Sequence, residues 1–121
     1  MNIWIIDINK KRRNKLIRSI LDNGYQKDRI KIISSIEELV NYSTENICDV
    51  LFVCTDKPEL DWVAIVSHMK QSYPDCNLIV VNATTNIDIS CAKYRISGYL
   101  QEPITLEKVK TELENLRYSV Y

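Results

Sequence analysis

The feature that most constrains this chain is a repeated alternation between short apolar runs and longer amphipathic stretches. The runs over 50–54 and 78–82 are almost unbroken, which is typical of strands covered on both faces. Strands that alternate with helical patterns favour a parallel sheet with crossover helices. With 121 residues, 45% of them hydrophobic, the chain can build one hydrophobic core. We therefore expect a single α/β domain over residues 1–121.

This alternation places the individual strands and helices. The predicted strands cover 3–7, 30–34, 50–54, 78–82 and 98–100. Apolar residues at three- and four-residue spacing predict two amphipathic helices, one through Leu16, Ile17, Ile20 and Leu21 and one through Leu106, Val109, Leu113 and Leu116. Three further helices are predicted over 36–43, 62–72 and 87–95.

Charge and composition exclude several classes of function. Sixteen basic and sixteen acidic residues cancel, so no overall field attracts the chain to nucleic acid or to a membrane. The only two glycines, Gly24 and Gly98, cannot form a dinucleotide-binding or P-loop turn. The apolar runs are shorter than a signal peptide or a bilayer span requires. We expect a cytoplasmic protein that binds no cofactor.

Four cysteines are scattered along the chain without the C-x-x-C spacing of zinc or redox pairs. They are Cys48, Cys54, Cys76 and Cys91. Two of them lie within apolar runs, which favours buried, reduced thiols.

The carboxyl ends of the predicted strands should carry the functional site, since open parallel sheets bind ligands there. The residues at these ends are Asp7, Ile8, Cys54, Thr55, Asp56, Asn82, Ala83 and Glu102.

Four segments at these strand ends resemble the receiver (CheY-like) domains of response regulators. They are IWIIDIN at 3–9, DVLFVCTDKP at 49–58, VVNA at 80–83 and SGYLQEP at 97–103. The resemblance implies a flavodoxin-like, doubly wound, five-stranded parallel sheet in the order 2-1-3-4-5, with helices on both faces.

The resemblance also shows where this chain departs from the receiver pattern. Receivers hold magnesium with two adjacent acidic residues, accept phosphate on an aspartate four residues before a proline, and complete the site with a hydroxyl and a lysine. At these positions the chain has Asp7, Ile8, Cys54, Asn82 and Glu102, while Tyr99 matches the switch aromatic. Magnesium prefers several hard oxygen ligands, and a thiol is a soft one. We therefore expect a non-enzymatic pseudo-receiver that binds no magnesium and accepts no phosphate.

Glu102 should need new partners once phosphate and metal are absent. We expect it to accept hydrogen bonds from the amide of Asn82 and from backbone N–H groups of 55–57. Such a neutral cluster would hold the domain in one conformation.

Two residues of this site have alternative interpretations. Cys54 is either a small hydrophobic residue of the core or a redox-sensing thiol, and the charges of Asp7 and Glu102 should raise its pKa and disfavour the sensor. Asp56 either begins a turn or forms a residual cation site with Asp7 and Glu102. The one histidine, His68, has no second ligand at metal spacing and is expected at the surface.

A basic run near the N-terminus is the strongest local charge feature. It comprises Lys10, Lys11, Arg12, Arg13, Lys15 and Arg18, which we place on the exposed side of the first helix. This run is either a solvated face or an electrostatic patch for a partner. Without interleaved aromatic residues, binding of nucleic acid by this domain alone is not expected.

The last third of the chain suggests a partner and a context. Only twenty positions separate Asn82 from Glu102, which is similar to receivers joined to SARP-type or LytTR-type transcriptional regulators, so a DNA-binding output domain is expected in a longer chain. Residues of both signs there suit a two-fold homodimer. They are Lys93, Arg95, Glu107, Lys110, Glu114 and Arg117. The favoured function is a phosphorylation-independent regulatory and dimerisation module, and the alternative is a redox sensor acting through Cys54.

Overall fold

Nearly all the predicted elements form in the computed structural model, which describes residues 1–57, 59–82 and 94–120. The strands are β1 (Ile3–Ile6), β2 (Ile30–Ile32), β3 (Val50–Cys54), β4 (Asn77–Val81) and β5 (Gly98–Leu100). The described helices are α1 (Lys10–Asp22), α2 (Ile36–Ser43), α3 (Trp62–Ser72) and α4 (Leu106–Glu114). The helix predicted over 87–95 lies outside the described residues except for its last two positions.

The strands form one parallel sheet in the order β2-β1-β3-β4-β5, which confirms the predicted topology. Every residue of β1, β3 and β4 is buried, as expected for central strands of a doubly wound sheet. Helix α1 packs against α4, and α2 packs against α3. Among the helices that the structure describes, none is long and apolar enough to cross a membrane.

The core is centred on the aromatic and branched side chains of these strands. Trp4 of β1 is fully buried and makes edge contacts with Tyr42 and Tyr73, with ring centroids 5.1 and 5.8 Å apart. Such contacts add specific geometry to the apolar area that the strands bury. The strands that support the loops at both ends of the sheet are therefore buried in this core.

Side-chain caps start each described α-helix. Asn9, Ser35, Asp61 and Thr105 each accept a hydrogen bond from the backbone N–H three residues later. Such caps satisfy N–H groups that have no partner within the helix. The Asn9 cap matters most for the site, because its bond comes from the N–H of Arg12 and begins α1 beside the end of β1.

Candidate functional site

The polar residues that follow β1, β3, β4 and β5 meet at the carboxyl edge of the sheet, as the sequence predicted. Asp7 follows β1, Asp56 lies in the loop after β3, and Glu102 lies two residues beyond β5. Asn82 follows β4 and joins two of these loops, because its side-chain Nδ2 donates to Asp56 Oδ2 at 3.1 Å and to Glu102 Oε1 at 2.7 Å.

The centre of this site is Arg12, a residue that sequence analysis placed elsewhere. Arg12 was predicted on the exposed side of α1, and this is wrong: it is only 3% exposed. Lys10, Lys11, Lys15 and Arg18 are exposed as predicted, and Arg13 is half-buried. A signal existed in the sequence, since Arg12 precedes the buried Leu16 and Ile20 at intervals of four and so shares their face of the helix.

All the N–H donors of the Arg12 guanidinium are engaged by carboxylates. Nε and Nη2 bind Asp7 Oδ2 and Oδ1 at 2.5 and 2.8 Å. Nη1 and Nη2 bind Asp56 Oδ2 and Oδ1 at 2.7 and 2.9 Å. Nη1 also donates to Glu102 Oε1 at 3.3 Å. A guanidinium has five N–H donors, so these bonds leave none for another ligand.

Charge explains why an arginine is stable in this buried place. The side chain of Asp7 is only 1% exposed, and an unpaired carboxylate there would be strongly unfavourable. The planar guanidinium matches this carboxylate in a two-point contact. Hydrogen bonding to Asp7, followed by bonding to Asp56, raises the pKa of Arg12 although burial opposes it, so the cation is permanent. The carboxylates also offset the unfavourable position of a cation in the first turn of α1.

Glu102 and Asn82 form the exposed rim of the cluster. The backbone N–H of Glu102 donates to Asn82 Oδ1 at 3.0 Å, which makes their contact reciprocal. Asn82 adopts a φ of 54°, a left-handed conformation that asparagine tolerates better than most residues. The predicted bond between Asn82 and Glu102 is confirmed. The predicted neutral character of the cluster is wrong, because the other donor to Glu102 is the Arg12 cation rather than the backbone of 55–57.

Ionisation of the two outer carboxylates is favoured by their partners. Hydrogen bonding from Arg12 lowers the pKa of Asp56, and hydrogen bonding from Asn82, then Arg12, lowers the pKa of Glu102. Both groups are therefore charged at neutral pH. Three carboxylates around one guanidinium leave the cluster with an excess of negative charge.

Cys54, at the position where receivers carry the acceptor aspartate, is fully buried at the end of β3. Burial, and then the negative charge of Asp7, raises the pKa of its thiol to about 11. A thiol that is protonated and fully buried reacts slowly. These observations favour the small core residue over the redox sensor.

The structure does not assemble the metal site that was considered for Asp7, Asp56 and Glu102. The three carboxylates do converge, but on the guanidinium of Arg12. Within 1–57, 59–82 and 94–120, no group of three His, Cys, Asp or Glu side chains is placed to hold a metal ion. His68, expected at the surface, is half-buried, with its Nε2 3.2 Å from Ser43 Oγ.

The remaining site residues lie at or near the surface. Ile8 and Tyr99 are each 39% exposed, so an aliphatic side chain borders the acidic loops and the aromatic side chain lies at the surface of β5. Five residues of the predicted dimer face are exposed: Arg95, Glu107, Lys110, Glu114 and Arg117. Lys93, like Ala83 and Cys91, lies outside the described residues. The dimer itself stays a prediction.

Comparisons at the level of sequence find no relative. No protein-family model matches the chain, and no curated protein matches it.

Comparisons at the level of structure do find related folds. The chain is similar to a two-component response regulator from Legionella pneumophila, with a TM-score of 0.82, 12% identity and coverage of 94% of this chain and 95% of that one. It is also similar to the chemotaxis response regulator CheY4 of Vibrio cholerae (TM-score 0.76, 14% identity, 93% and 95% coverage). A third similar structure is the two component transcriptional regulator AraC from Clostridium phytofermentans (TM-score 0.74, 22% identity, 94% and 89% coverage). The chain therefore has the flavodoxin-like fold of the CheY-like receiver domains.

Proposed function

We propose that this chain is a receiver-like regulatory module of a signal-transduction protein that works without phosphorylation and is not an enzyme. The observation that carries this proposal is that every N–H group of the Arg12 guanidinium, at the carboxyl edge of the sheet, is hydrogen-bonded to a carboxylate. It supplies a positive charge there as a fixed part of the chain, with no need for a bound cation.

The residues around Arg12 support the absence of phosphoryl transfer. Cys54 provides a buried thiol in place of a carboxylate acceptor. Glu102 adds negative charge where a phosphoryl group would need a cation, and charges at such short range interact by a few kcal/mol. The Arg12 guanidinium has no N–H left to bind phosphate oxygens. Each of these features opposes an incoming phosphate.

The same contacts should hold the domain in a single conformation. Arg12 links α1 to Asp7, Asp56 and Glu102, which follow three different strands. A ligand shifts a conformational equilibrium only if it binds the two states differently. A residue of the chain itself fills the pocket, so phosphate and magnesium cannot shift the conformational equilibrium by binding there. The module therefore acts as a constant structural element for its partners in the cytoplasm.

Titration with phosphate analogues and magnesium tests the proposal. We expect no change in intact mass with acetyl phosphate, and no chemical-shift changes around Asp7 with beryllofluoride and millimolar magnesium. The variant Cys54→Asp restores an acceptor but keeps Arg12 and Glu102, and it should also stay unmodified. Either protein becoming phosphorylated, or magnesium shifts centred on Asp7 in the wild type, would contradict the proposal.

The same pocket offers a sharper control with one substitution. Arg12→Ala removes the cation and leaves three carboxylates together, which is a suitable set of hard oxygen ligands for magnesium. Magnesium-dependent shifts near Asp7 should therefore appear in Arg12→Ala and be absent from the wild type. Equal responses of the two proteins would show that Arg12 does not keep the metal out.

We further propose that the exposed charges of α4 and its surroundings form a two-fold dimer. Exposed residues of both signs support it, since a two-fold interface places the same patch on both partners. Analytical ultracentrifugation of the wild type, Lys110→Glu and Arg117→Glu should show association that these reversals weaken. The control is Lys27→Glu, an exposed change beside β2, the outer strand on the other side of the sheet from β5. A strictly monomeric wild type at about 100 μM would end the dimer proposal.

The third element of the proposal is a role in transcription through a SARP-type or LytTR-type DNA-binding output domain in a longer chain. The similarity to the two component transcriptional regulator from Clostridium phytofermentans supports it at the level of the fold. The reading frame that encodes the chain provides the test. A DNA-binding domain following Tyr121 would support the role, and an uninterrupted frame encoding an unrelated domain would contradict it.

A further inference from the structure

Two thiols lie in contact at the amino edge of the sheet, opposite the Arg12 site. Cys48 lies two residues before β3, and Cys76 directly precedes β4. Their Sγ atoms are 3.5 Å apart, although the residues are 28 positions apart in sequence. Both side chains are buried, with relative exposures of 3% and 1%. Parallel pairing of β3 with β4 holds the two residues together.

We propose that Cys48 and Cys76 form a reversible disulfide when the protein meets a peroxide. In the first step one thiolate attacks a peroxide oxygen, the O–O bond breaks, and a sulfenic acid and hydroxide form. In the second step the other thiol attacks the sulfenic sulfur, an S–S bond forms and water leaves. Overall, two thiols lose two electrons and two protons, and the peroxide is reduced to water.

The hydrogen bonds of the pair hold the two sulfur atoms next to each other. Cys48 Sγ donates to the carbonyl oxygen of Val50 at 3.3 Å, whereas the donor in Cys76 is directed at Cys48 Sγ. Burial, and then the bond from Cys76, raises the pKa of Cys48, so Cys48 keeps its proton. A sulfenic acid that forms on either sulfur therefore lies next to the thiol that resolves it.

Lys70 links Cys76 to the segment that follows α4. Lys70 Nζ donates to the carbonyl oxygen of Cys76 at 3.0 Å and lies 4.7 Å from the centroid of the Tyr118 ring. Tyr118 is bound in turn through its backbone N and O to the side chain of Asn77. Both thiols are buried, so a peroxide reaches them only when the protein opens locally. Loosening this segment should speed that opening, and oxidation should still be slower than that of a free exposed cysteine.

The cross-link would act on the segment that carries part of the Arg12 site. Residues 48 to 76 contain β3, the loop with Asp56 and the whole of α3. A disulfide across this segment restricts the unfolded chain and stabilises the fold. The oxidised protein should therefore have a higher midpoint of thermal unfolding than the reduced protein, whatever the function of the Arg12 site.

The test uses the reduced full chain treated with hydrogen peroxide. We expect a mass loss of two hydrogen atoms, a Cys48–Cys76 cross-linked peptide on non-reducing digestion, and full reversal by dithiothreitol. Cys48→Ala and Cys76→Ala should each abolish the cross-link, and Cys54→Ala and Cys91→Ala should retain it. Tyr118→Ala should increase the oxidation rate several-fold.

Other results would overturn the proposal. One is a protein, still folded by circular dichroism, that forms no internal cross-link with hydrogen peroxide or with the small dithiol oxidant diamide. Another is a cross-link through Cys54 or Cys91, or stepwise addition of oxygen atoms to Cys76 while Cys48 is present. A cross-link that forms only after denaturation would also exclude a switch in the native protein.

Discussion

The two edges of the sheet are held together by opposite kinds of chemistry. At the carboxyl edge, a buried cation joins three carboxylates, and all its contacts depend on ionisation. At the amino edge, the fully buried Asn77 joins neutral groups: it donates to carbonyl oxygens of Asp49 and Tyr118 and accepts from Ser97 Oγ and the Tyr118 N–H. Loops at the end of a sheet can therefore be held together with or without charge, and the two arrangements differ in their sensitivity to pH and to substitution.

The largest effect is expected from removing the charged centre. Arg12→Met keeps an apolar stem but leaves the buried Asp7 unpaired, which should reduce the free energy of unfolding by about 3–5 kcal/mol. Urea unfolding measures this loss. Arg18→Met, an exposed change on the same helix, should stay within about 0.5 kcal/mol of the wild type. Similar small effects of both changes would mean that the cluster adds little to stability.

A somewhat smaller loss of unfolding free energy is expected from removing Asn77 at the neutral, amino edge. Asn77→Ala leaves the buried partners of its side chain without hydrogen bonds, at a cost of about 2–3 kcal/mol in the free energy of unfolding. The backbone of Tyr118 should also become more accessible, which hydrogen exchange detects. Asn115→Ala removes one exposed bond to Thr111 and serves as the control. Unchanged exchange at Tyr118 in Asn77→Ala would contradict the role given to Asn77.

A third change separates packing from charge at the carboxyl edge. Cys54→Ala should cost about 1–2 kcal/mol through lost packing alone, with the Arg12 cluster intact. Partner binding should be unaffected, since the thiol is buried. Loss of a peroxide-dependent response in this variant, with Cys48 and Cys76 present, would instead favour a sensor at Cys54.

The smallest effect is a difference in pH dependence between the two edges. The folded protein lowers the pKa values of Asp56 and Glu102 from 3.8 and 4.5, so their stabilisation is complete above these values and is lost as pH falls through the folded ones. The stability difference between wild type and Arg12→Met should therefore narrow below about pH 4.5. The difference between wild type and Asn77→Ala should stay constant over the same range, because its groups are neutral. If the stability difference from the wild type narrowed equally for Arg12→Met and Asn77→Ala, the two edges would not differ in their dependence on charge.

The strands, the fold class and the strand-end residues could be predicted from the amino-acid sequence. Apolar runs such as 50–54 and helical repeats such as Leu16 with Ile20 are local patterns, and they were enough to predict the strands and the limits of α2 and α3. The sheet order came from the resemblance to receiver domains. Bounds shifted by a residue or two at β1, β2 and β4, where ladder pairing rather than composition decides the end. The meeting of Asp7, Asn82 and Glu102 followed from the same topology.

Only the tertiary structure decided which cation occupies the site. The helical spacing of Arg12 to Leu16 and Ile20 could indicate that it faces the core, but Arg12 lies 44 and 90 positions from Asp56 and Glu102, and no local pattern relates residues at such separations. In the sequence it is one of several basic residues over 10–18, a run that is typical of a solvent-exposed helix face. Its burial becomes favourable only when three carboxylates from separate loops surround it, because the cost of removing a charge from water is offset by these contacts alone. The thiol contact of Cys48 with Cys76 was hidden for the same reason, since the pairing of β3 with β4 creates it.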